Sequence, residues 1–533
     1  MSIPSGDQLA IPFLPVPISL PPKLTELITL ASEDPIKYGG VFAIGSLVCW
    51  FLGLAIYRVY FHPLSRFPGP TAAKLTEFYR FYWNYVRKGG LVFEVERLHA
   101  KYGPVIRISP NELHFSTLSA HSAIYPPSRP PFLKEPTFYS TLSTNNALFG
   151  RLNPTAHRIR RDLLNPFFSK KSISALSTTS QLIPRTATTF LTRLTSFAAS
   201  GEEFRIDLAF KCFTIDVIST YTFNRCFNTL QLANFDPLEV SAILGAIRQA
   251  TLAEFFPWAQ WAVLKAPGGR AFARLARMEL GMLMDALGKS YQEVVAYKER
   301  GETEGMMKRM LTPEEKGSGY EVVDSDQVLA ELGFELLGAG MEETGNALMF
   351  ATWHVTTTEG VEERLVKELR EWCPVVGEEA VGGVEKLPYL HGVWKEALRM
   401  SHGIPGRLPR IAPPNGITID NHFIPGGTIV SVSQYLIHRN TAVFPDPELF
   451  RPERWLSADS RSLEKHVIAF SRGPRQCIGM NLAEAEFKIL FANMMRRFSI
   501  KVELETGDKL EWRDFLTVFV KGKVRALAKE REE

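Results

Sequence analysis

The chain has 533 residues, 45% of them apolar and 22% charged, with a formal net charge of +4. This length supports a large buried core, and the balance excludes a disordered chain, a collagen-like fibre and a disulfide-stapled miniprotein. So small a charge, with no Lys/Arg-rich block, gives no reason to expect a nucleic-acid partner.

Residues 1–38 are Pro-rich and read as a poorly ordered N-terminal segment. Residues 39–60 read as a transmembrane anchor. Its core, GGVFAIGSLVCWFLGLAIY (39–57), carries no charge. As a helix rising ~1.5 Å per residue it reaches roughly 28 Å, close to the ~30 Å hydrocarbon core. Lys23 and Lys37 precede it, whereas Arg58, Arg66, Lys74, Arg80, Arg87 and Lys88 follow. That excess places the C-terminal body in the cytosol. In FHPLSRFPGP (61–70), Pro63, Pro68 and Pro70 stop the helix and make a stiff hinge.

Residues 71–533 read as one domain without repeats or a second linker. Helical patterning covers 71–87, 91–102, 154–168, 172–200, 207–224, 239–256, 271–300, 325–358, 360–372, 388–400 and 478–498. Short strand patterns occur at 105–109, 112–116, 416–419, 428–433 and near both ends of 499–521. The fold class is therefore mainly α with small β-sheets. Residues 301–320 read as a surface loop. FFPWAQWAVL (255–264), with Trp258 and Trp261, suits either a membrane contact or core packing. No GxGxxG, HExxH or GxSxG occurs, and GKS at 288–290 lacks the upstream glycine of a P-loop.

Five cysteines (Cys49, Cys212, Cys226, Cys373 and Cys477) are widely spaced with no CxxC pair, so neither a disulfide framework nor a zinc site is indicated. Cys477 differs from the others in its surroundings, FSRGPRQCIG (470–479). A thiolate that ligates haem iron needs a donor-rich helix N-terminus beside it, and Cys477 immediately precedes an amphipathic helical run. Gly473 and Gly479 allow close approach of the loop to a flat ring. Arg475 can reach an acidic propionate, and Phe470 can shield the sulfur.

This decapeptide matches FxxGxRxCxG, and the chain resembles the cytochrome P-450 family, most closely its fungal microsomal members. The resemblance spans roughly 39–525. It implies the P-450 fold, haem b, and Cys477 as the axial iron ligand. Glu396 and Arg399, spaced i,i+3, resemble the family's ExxR pair. Arg454 in FRPERW (450–455) resembles the third member of that structural cluster. His157 and Arg161 in HRIRRDLLNPFFS (157–169) occupy the place of a propionate-facing helix, with His157 where the family usually has Trp. Arg410 is a further propionate candidate.

LLGAGMEETGNAL (336–348) resembles the family's oxygen-activation helix. Gly338 and Gly340 each cost a helix about 1 kcal/mol, which suits a groove or a close helix contact. The family pattern AGx(D/E)T gives Glu342 as the acid, but Glu343 stands where the first Thr belongs and Thr344 follows. Three readings stay open. Thr344 substitutes after a helix bulge, Glu343 relays protons itself, or the reaction is not ordinary hydroxylation. A buried Glu343 would hold its proton to unusually high pH.

The resemblance implies a membrane-anchored haem-thiolate monooxygenase of the endoplasmic reticulum. It would be single-pass, with its catalytic domain in the cytosol. Electrons would come from NADPH through an external cytochrome P-450 reductase, with cytochrome b5 as a further partner. The substrate would be a hydrophobic secondary metabolite such as a terpenoid, alkaloid or polyketide. A rearrangement, dehydration or desaturation on the same fold is the alternative. A non-catalytic haem- or lipid-binding protein is the alternative from another class.

Overall fold

The computed structural model describes residues 22, 35–126, 132–258, 262, 279–302, 305–311, 326–373 and 382–532. The chain divides into two units, residues 1–67 and 68–533. In the first, helix α1 (Pro35–Ile56) runs into a π-helical turn, Tyr57–Phe61. The stretch Ala43–Phe61 has a mean hydropathy of 1.6 and none of it is buried. Leu47, Trp50, Phe51 and Leu52 all point outward. A helix that is apolar all round and unburied by protein suits lipid rather than water, so α1 is compatible with a membrane anchor.

The second unit is mainly helical. Its longer helices are α2 (Leu91–Tyr102), α3 (Pro154–Leu164), α4 (Leu182–Ser200), α5 (Ile206–Phe223), α6 (Leu238–Ala253), α7 (Glu279–Glu299), α8 (Asp326–Thr357), α9 (Val361–Trp372), α10 (Pro388–Ser401) and α11 (Met480–Arg497). Strands β1 (Val105–Ser109), β2 (Glu112–Phe115), β3 (Leu133–Lys134), β4 (Arg410–Ile411) and β5 (Ile429–Val432) form one sheet in the order β1-β2-β5-β4-β3. Only β2 and β5 run parallel, with Glu112 opposite Ile429. Smaller sheets close the C-terminal end, including the hairpin Trp512–Phe515 with Thr517–Val520.

α5 and α8 make the centre of the core. Phe210, Phe213, Ile215 and Val217 are buried on different sides of α5, the mark of a helix packed all round. A Cβ on Gly340 of α8 would come within 2.8 Å of the Ile218 side chain, so this glycine lets the two helices approach. At 32 residues, α8 reaches about 48 Å and crosses the unit.

Two predicted helices are divided. The run 71–87 breaks at Thr76, which is extended, and its hydroxyl accepts the Phe78 N–H at 3.1 Å. A threonine side chain thus competes with the helix for a backbone donor. The run 172–200 becomes Lys170–Thr178 and α4, with Gln181 left-handed between them. Pro184 has no N–H to offer Ser180, so a continuous helix would lose that bond. The predicted loop 301–320 contains a short helix, Met306–Leu311. Its other predicted positions at 303–304 and 312–320, the helical positions 271–278, and Trp261 lie outside the described residues.

Buried histidines make the core sensitive to acid. His99 donates from Nδ1 to the Gly103 carbonyl at 2.8 Å and accepts on Nε2 from His114 Nδ1 at 2.7 Å. Ser433 then donates to His114 Nε2 at 2.8 Å. These tautomers are assigned from the network, which two neutral rings satisfy. Burial pushes His99 down to about 4, and His121 and His438 down to about 3. Their folded values lie below the unfolded 6.5. Their contribution is therefore complete above pH 6.5 and lost as pH falls from there toward 4. Each costs about 1.4 kcal/mol per pH unit across that window. Thermal melts are expected to show Tm dropping steeply between pH 6.5 and 5. A flat profile would contradict neutral burial.

Candidate active site

Helical phase decides which side chains of α8 reach the interior. Leu336, Gly340, Glu343, Thr344 and Ala347 recur at spacings of three and four, so they share one face. That face forms one wall of a cavity of about 260 Å³. The facing wall is the loop 469–479 and the first turns of α11. Trp394 and Leu398 of α10 close one side, and Ile218, Ile404 and Leu408 add further apolar surface.

Cys477 is exposed to this cavity, with protein atoms packed around it. Its N–H donates to the Phe470 carbonyl at 2.9 Å, which closes the loop on itself. Burial raises the thiol pKa, opposed by the Gly479 N–H and the nearby Arg161 guanidinium. A coordinated metal ion would overcome that burial effect and remove the proton outright. Phe470 packs against Trp394, ring centroids 6.2 Å apart, and lines the cavity.

The cavity lining also holds a cluster of cations. Lys134, Arg410 and Arg475 all line it. Lys134 donates to the Phe149 carbonyl at 2.5 Å. Arg475 donates to the Arg151 and Leu152 carbonyls at 2.7 and 3.0 Å. Arg410 bonds the Tyr139 hydroxyl and the Pro409 carbonyl. Burial, with Arg475 and Arg410 alongside, pushes Lys134 well below the usual lysine range. Burial and Arg410 lower Arg475 to about 10. Buried and half-buried cations whose hydrogen bonds go to neutral oxygens form a strong site for a ligand carrying carboxylates.

The predicted cofactor residues divide. Phe470, Arg475, Cys477, Gly479 and Arg410 line the cavity, whereas Gly473, His157 and Arg161 do not. Gly473 has φ +76°, and a Cβ there would meet the Pro126 carbonyl at 2.3 Å. Its glycine requirement therefore comes from the turn and that carbonyl. Arg161 donates to the Gln476 carbonyl at 2.5 Å and so braces the cysteine loop. Asn153 caps the N-terminus of its helix α3 and fixes where it starts. His157 is 4% exposed, and burial with Arg475 and Lys134 nearby drives it down to about 2.

The three predicted catalytic residues also divide. Glu342 turns away from the cavity to α5, where Lys211 Nζ lies 2.5 Å from it and Asn346 Nδ2 donates at 3.1 Å. Asn346 also donates to the Val518 carbonyl at 2.9 Å, which ties α8 to the C-terminal hairpin. Glu343 and Thr344 face the cavity. α8 is α-helical through this stretch, so Thr344 arrives there without a bulge. Both Glu343 carboxyl oxygens are buried without a hydrogen-bond partner. Burial, then the Glu342 charge, raises its pKa to about 8.

Behind the loop, Glu396 and Arg399 are fully buried. Arg399 donates to Glu396 at 2.8 and 3.0 Å and to the His438, Pro447 and Leu449 carbonyls. Glu396 also accepts from Arg451 N–H, Arg454 Nε and Trp455 Nε1. Sequence reasoning missed Lys134, Tyr139, Glu335 and Glu486. Glu335 accepts the Leu148 and Phe149 N–H groups at 2.9 and 2.7 Å. None of these four sits in a motif, so only their burial as charged or polar groups marks them.

A lone sulfur in one cavity with a glycine-bearing helix face and a cluster of carboxylate-seeking cations suits a haem-thiolate oxygenase. The family model described as Cytochrome P450 matches residues 74–526. A cytochrome P450 monooxygenase of Ascocoryne sarcoides is 33% identical, over 88% of this chain and 93% of its own. Conidiogenone synthase of Penicillium rubens is 32% identical over the same shares. The monooxygenase TRI4 of Fusarium sporotrichioides is 30% identical, over 88% and 90%. The chain belongs to the cytochrome P450 family and is a haem-thiolate monooxygenase.

Proposed function

We infer that this protein oxidises a hydrophobic fungal secondary metabolite by hydroxylation, epoxidation or successive oxidations. The observation that carries this reading is the apolar cavity shared by Cys477 and the glycine-bearing face of α8. The names of its relatives, conidiogenone synthase among them, support a secondary metabolite as substrate.

Haem b, when bound, supplies oxygen activation at an iron held by the Cys477 thiolate. Arg410, Arg475 and Lys134 would hold its carboxylates, and Phe470 would cover the sulfur. The apolar walls orient the substrate and exclude water. Electrons would arrive from NADPH through cytochrome P-450 reductase, with cytochrome b5 assisting. The exposed cations Arg158, Lys170 and Lys171 suit an acidic electron donor.

Residues 39–60 would anchor the chain in the endoplasmic reticulum membrane, with 61–70 as hinge and 71–533 as the cytosolic catalytic domain. A second apolar surface supports this reading. Phe78, Tyr82, Tyr85 and Trp258 are exposed, and ring contacts through Phe81 and Phe256 join Phe78, Tyr85 and Trp258. Deleting residues 1–60 is expected to leave partial microsome binding. Adding Phe78→Ser, Tyr82→Ser and Trp258→Ser is expected to abolish it in a sedimentation assay.

Glu343 is the group placed to hold a proton at the cavity face of α8. Its acid form donates, so turnover is expected to fall as pH rises through about 8. Glu343→Gln removes the acid at nearly constant volume and is expected to cost about a hundredfold in kcat. It also removes the limb near pH 8 from the kcat profile, whereas Glu343→Thr keeps turnover but loses that limb. An unchanged profile in both variants would exclude Glu343 as donor.

The same neutral acid suits an acid-assisted rearrangement or dehydration, the second reading. The deciding experiment supplies reductase and NADPH to microsomes with a panel of terpenoids, alkaloids and polyketides. NADPH-dependent oxygen incorporation supports monooxygenation. Conversion without NADPH supports rearrangement.

A further inference from the structure

Residues 144–152 form neither helix nor strand, yet Phe149 among them lines the cavity. The backbone groups of such a segment must find partners elsewhere. Three of its N–H groups find them on α8. Asn146 N–H donates to Glu331 at 3.0 Å, and the Leu148 and Phe149 N–H groups donate to one oxygen of Glu335 at 2.9 and 2.7 Å. Its carbonyls go to cations instead. Phe149 accepts from Lys134, and Arg151 and Leu152 accept from Arg475. The segment is strung between two carboxylates and two cations.

Its own folding is tight. The Ala147 N–H donates to the Thr144 carbonyl at 3.0 Å, and Arg151 donates to Asn146 Oδ1 at 2.7 Å. A Cβ on Gly150 would lie 2.3 Å from the Thr144 carbonyl, so only glycine lets the chain double back here. Phe149 rests on Tyr139, ring centroids 5.0 Å apart.

Glu331 and Glu335 stand four residues apart and share one face of α8. Like charges at that spacing weaken a helix, so α8 gains nothing from the pair by itself. The gain lies in charge-assisted bonds to a segment that α8 does not otherwise hold in register. We propose that Glu331 and Glu335 are positioning residues, which fix residues 144–152 as a strap and so set where Phe149 meets the substrate. This rests on the cavity being the substrate site, as inferred above.

Hydrogen exchange on the full-length chain as purified tests the strap. In Glu335→Ala the Leu148 and Phe149 amides are expected to exchange at least about tenfold faster, and in Glu331→Ala the Asn146 amide. Glu335→Gln should match wild type, because its amide carbonyl can accept the same two bonds and Glu335 Oε2 has no partner to lose. Faster exchange spread along α8 would mark a merely structural role and overturn the proposal. So would unchanged exchange at 146–149.

A second readout tests the effect on ligands. Holoenzyme is titrated with imidazole, which needs only the iron, and with N-tritylimidazole, whose three rings also press on the cavity walls. Glu335→Ala is expected to weaken tritylimidazole about tenfold relative to imidazole, as Phe149→Ala does, while Glu335→Gln stays near wild type. Combining Glu335→Ala with Phe149→Ala should add little, since both act through one ring. Additive losses or an unchanged ratio would overturn the proposal. If imidazole causes no spectral shift in wild type, the proposed function falls, while hydrogen exchange still decides whether the two carboxylates hold the strap.

Discussion

Cys477→Ala is expected to abolish both the red-shifted Soret band of the reduced carbon-monoxide complex and all monooxygenation. The side chain lies on the cavity wall, so its loss opens no sealed void in the core. The variant should therefore remain folded, with circular dichroism like that of wild type. The electron-donating thiolate that Cys477 would supply to a bound haem iron has no substitute here. Among the described residues no other cysteine reaches the cavity, and no group of three His, Cys, Asp or Glu side chains could hold a metal. A retained thiolate band in the variant would overturn the ligand assignment.

The second large effect is on stability. Glu396 and Arg399 are a fully buried ion pair whose remaining valences are met by three N–H donors and three carbonyls. Removing one partner leaves the other charged and unpaired, at a cost of about 3–5 kcal/mol. That is a large share of the ~5–15 kcal/mol that holds a folded domain. Glu396→Ala and Arg399→Ala are each expected to lower the urea midpoint sharply and to yield protein without haem. The double replacement Glu396→Leu with Arg399→Met should recover part of the loss, because neither member of the fully buried pair is left charged without the other. Arg454→Ala should cost less, since Arg454 makes a single long 3.3 Å contact with Glu396. Equal destabilisation by all three single variants would refute this hierarchy.

The sequence made Cys477 legible because its loop is local. The donor-rich helix end, the glycines and the arginine are neighbours in the chain as well as in space. The Glu396–Arg399 pair was legible for the same reason, through helical spacing. Lys134 and Glu486 were not, since each reaches the cavity only by tertiary folding. Glu343 was half legible. Its departure from the family pattern was visible, and the helical phase from Gly340 to Glu343, Thr344 and Ala347 was available. What the phase alone could not reveal was Lys211, the partner that draws Glu342 away from the cavity. The division near Thr76 escaped because apolar periodicity continues across it, while a single side-chain oxygen captures the helix donor.

The crowding of Lys134, Arg410 and Arg475 bears on the life of the protein before it is an enzyme. Until a ligand brings negative charge, these cations repel one another, and the polypeptide leaves synthesis in its least stable form. Carboxylates bind the folded state and not the unfolded chain, so loading shifts the folding equilibrium by mass action. Cells short of haem should therefore lose this protein to quality control. Its abundance then reports the supply of the prosthetic group, ahead of any change in transcription.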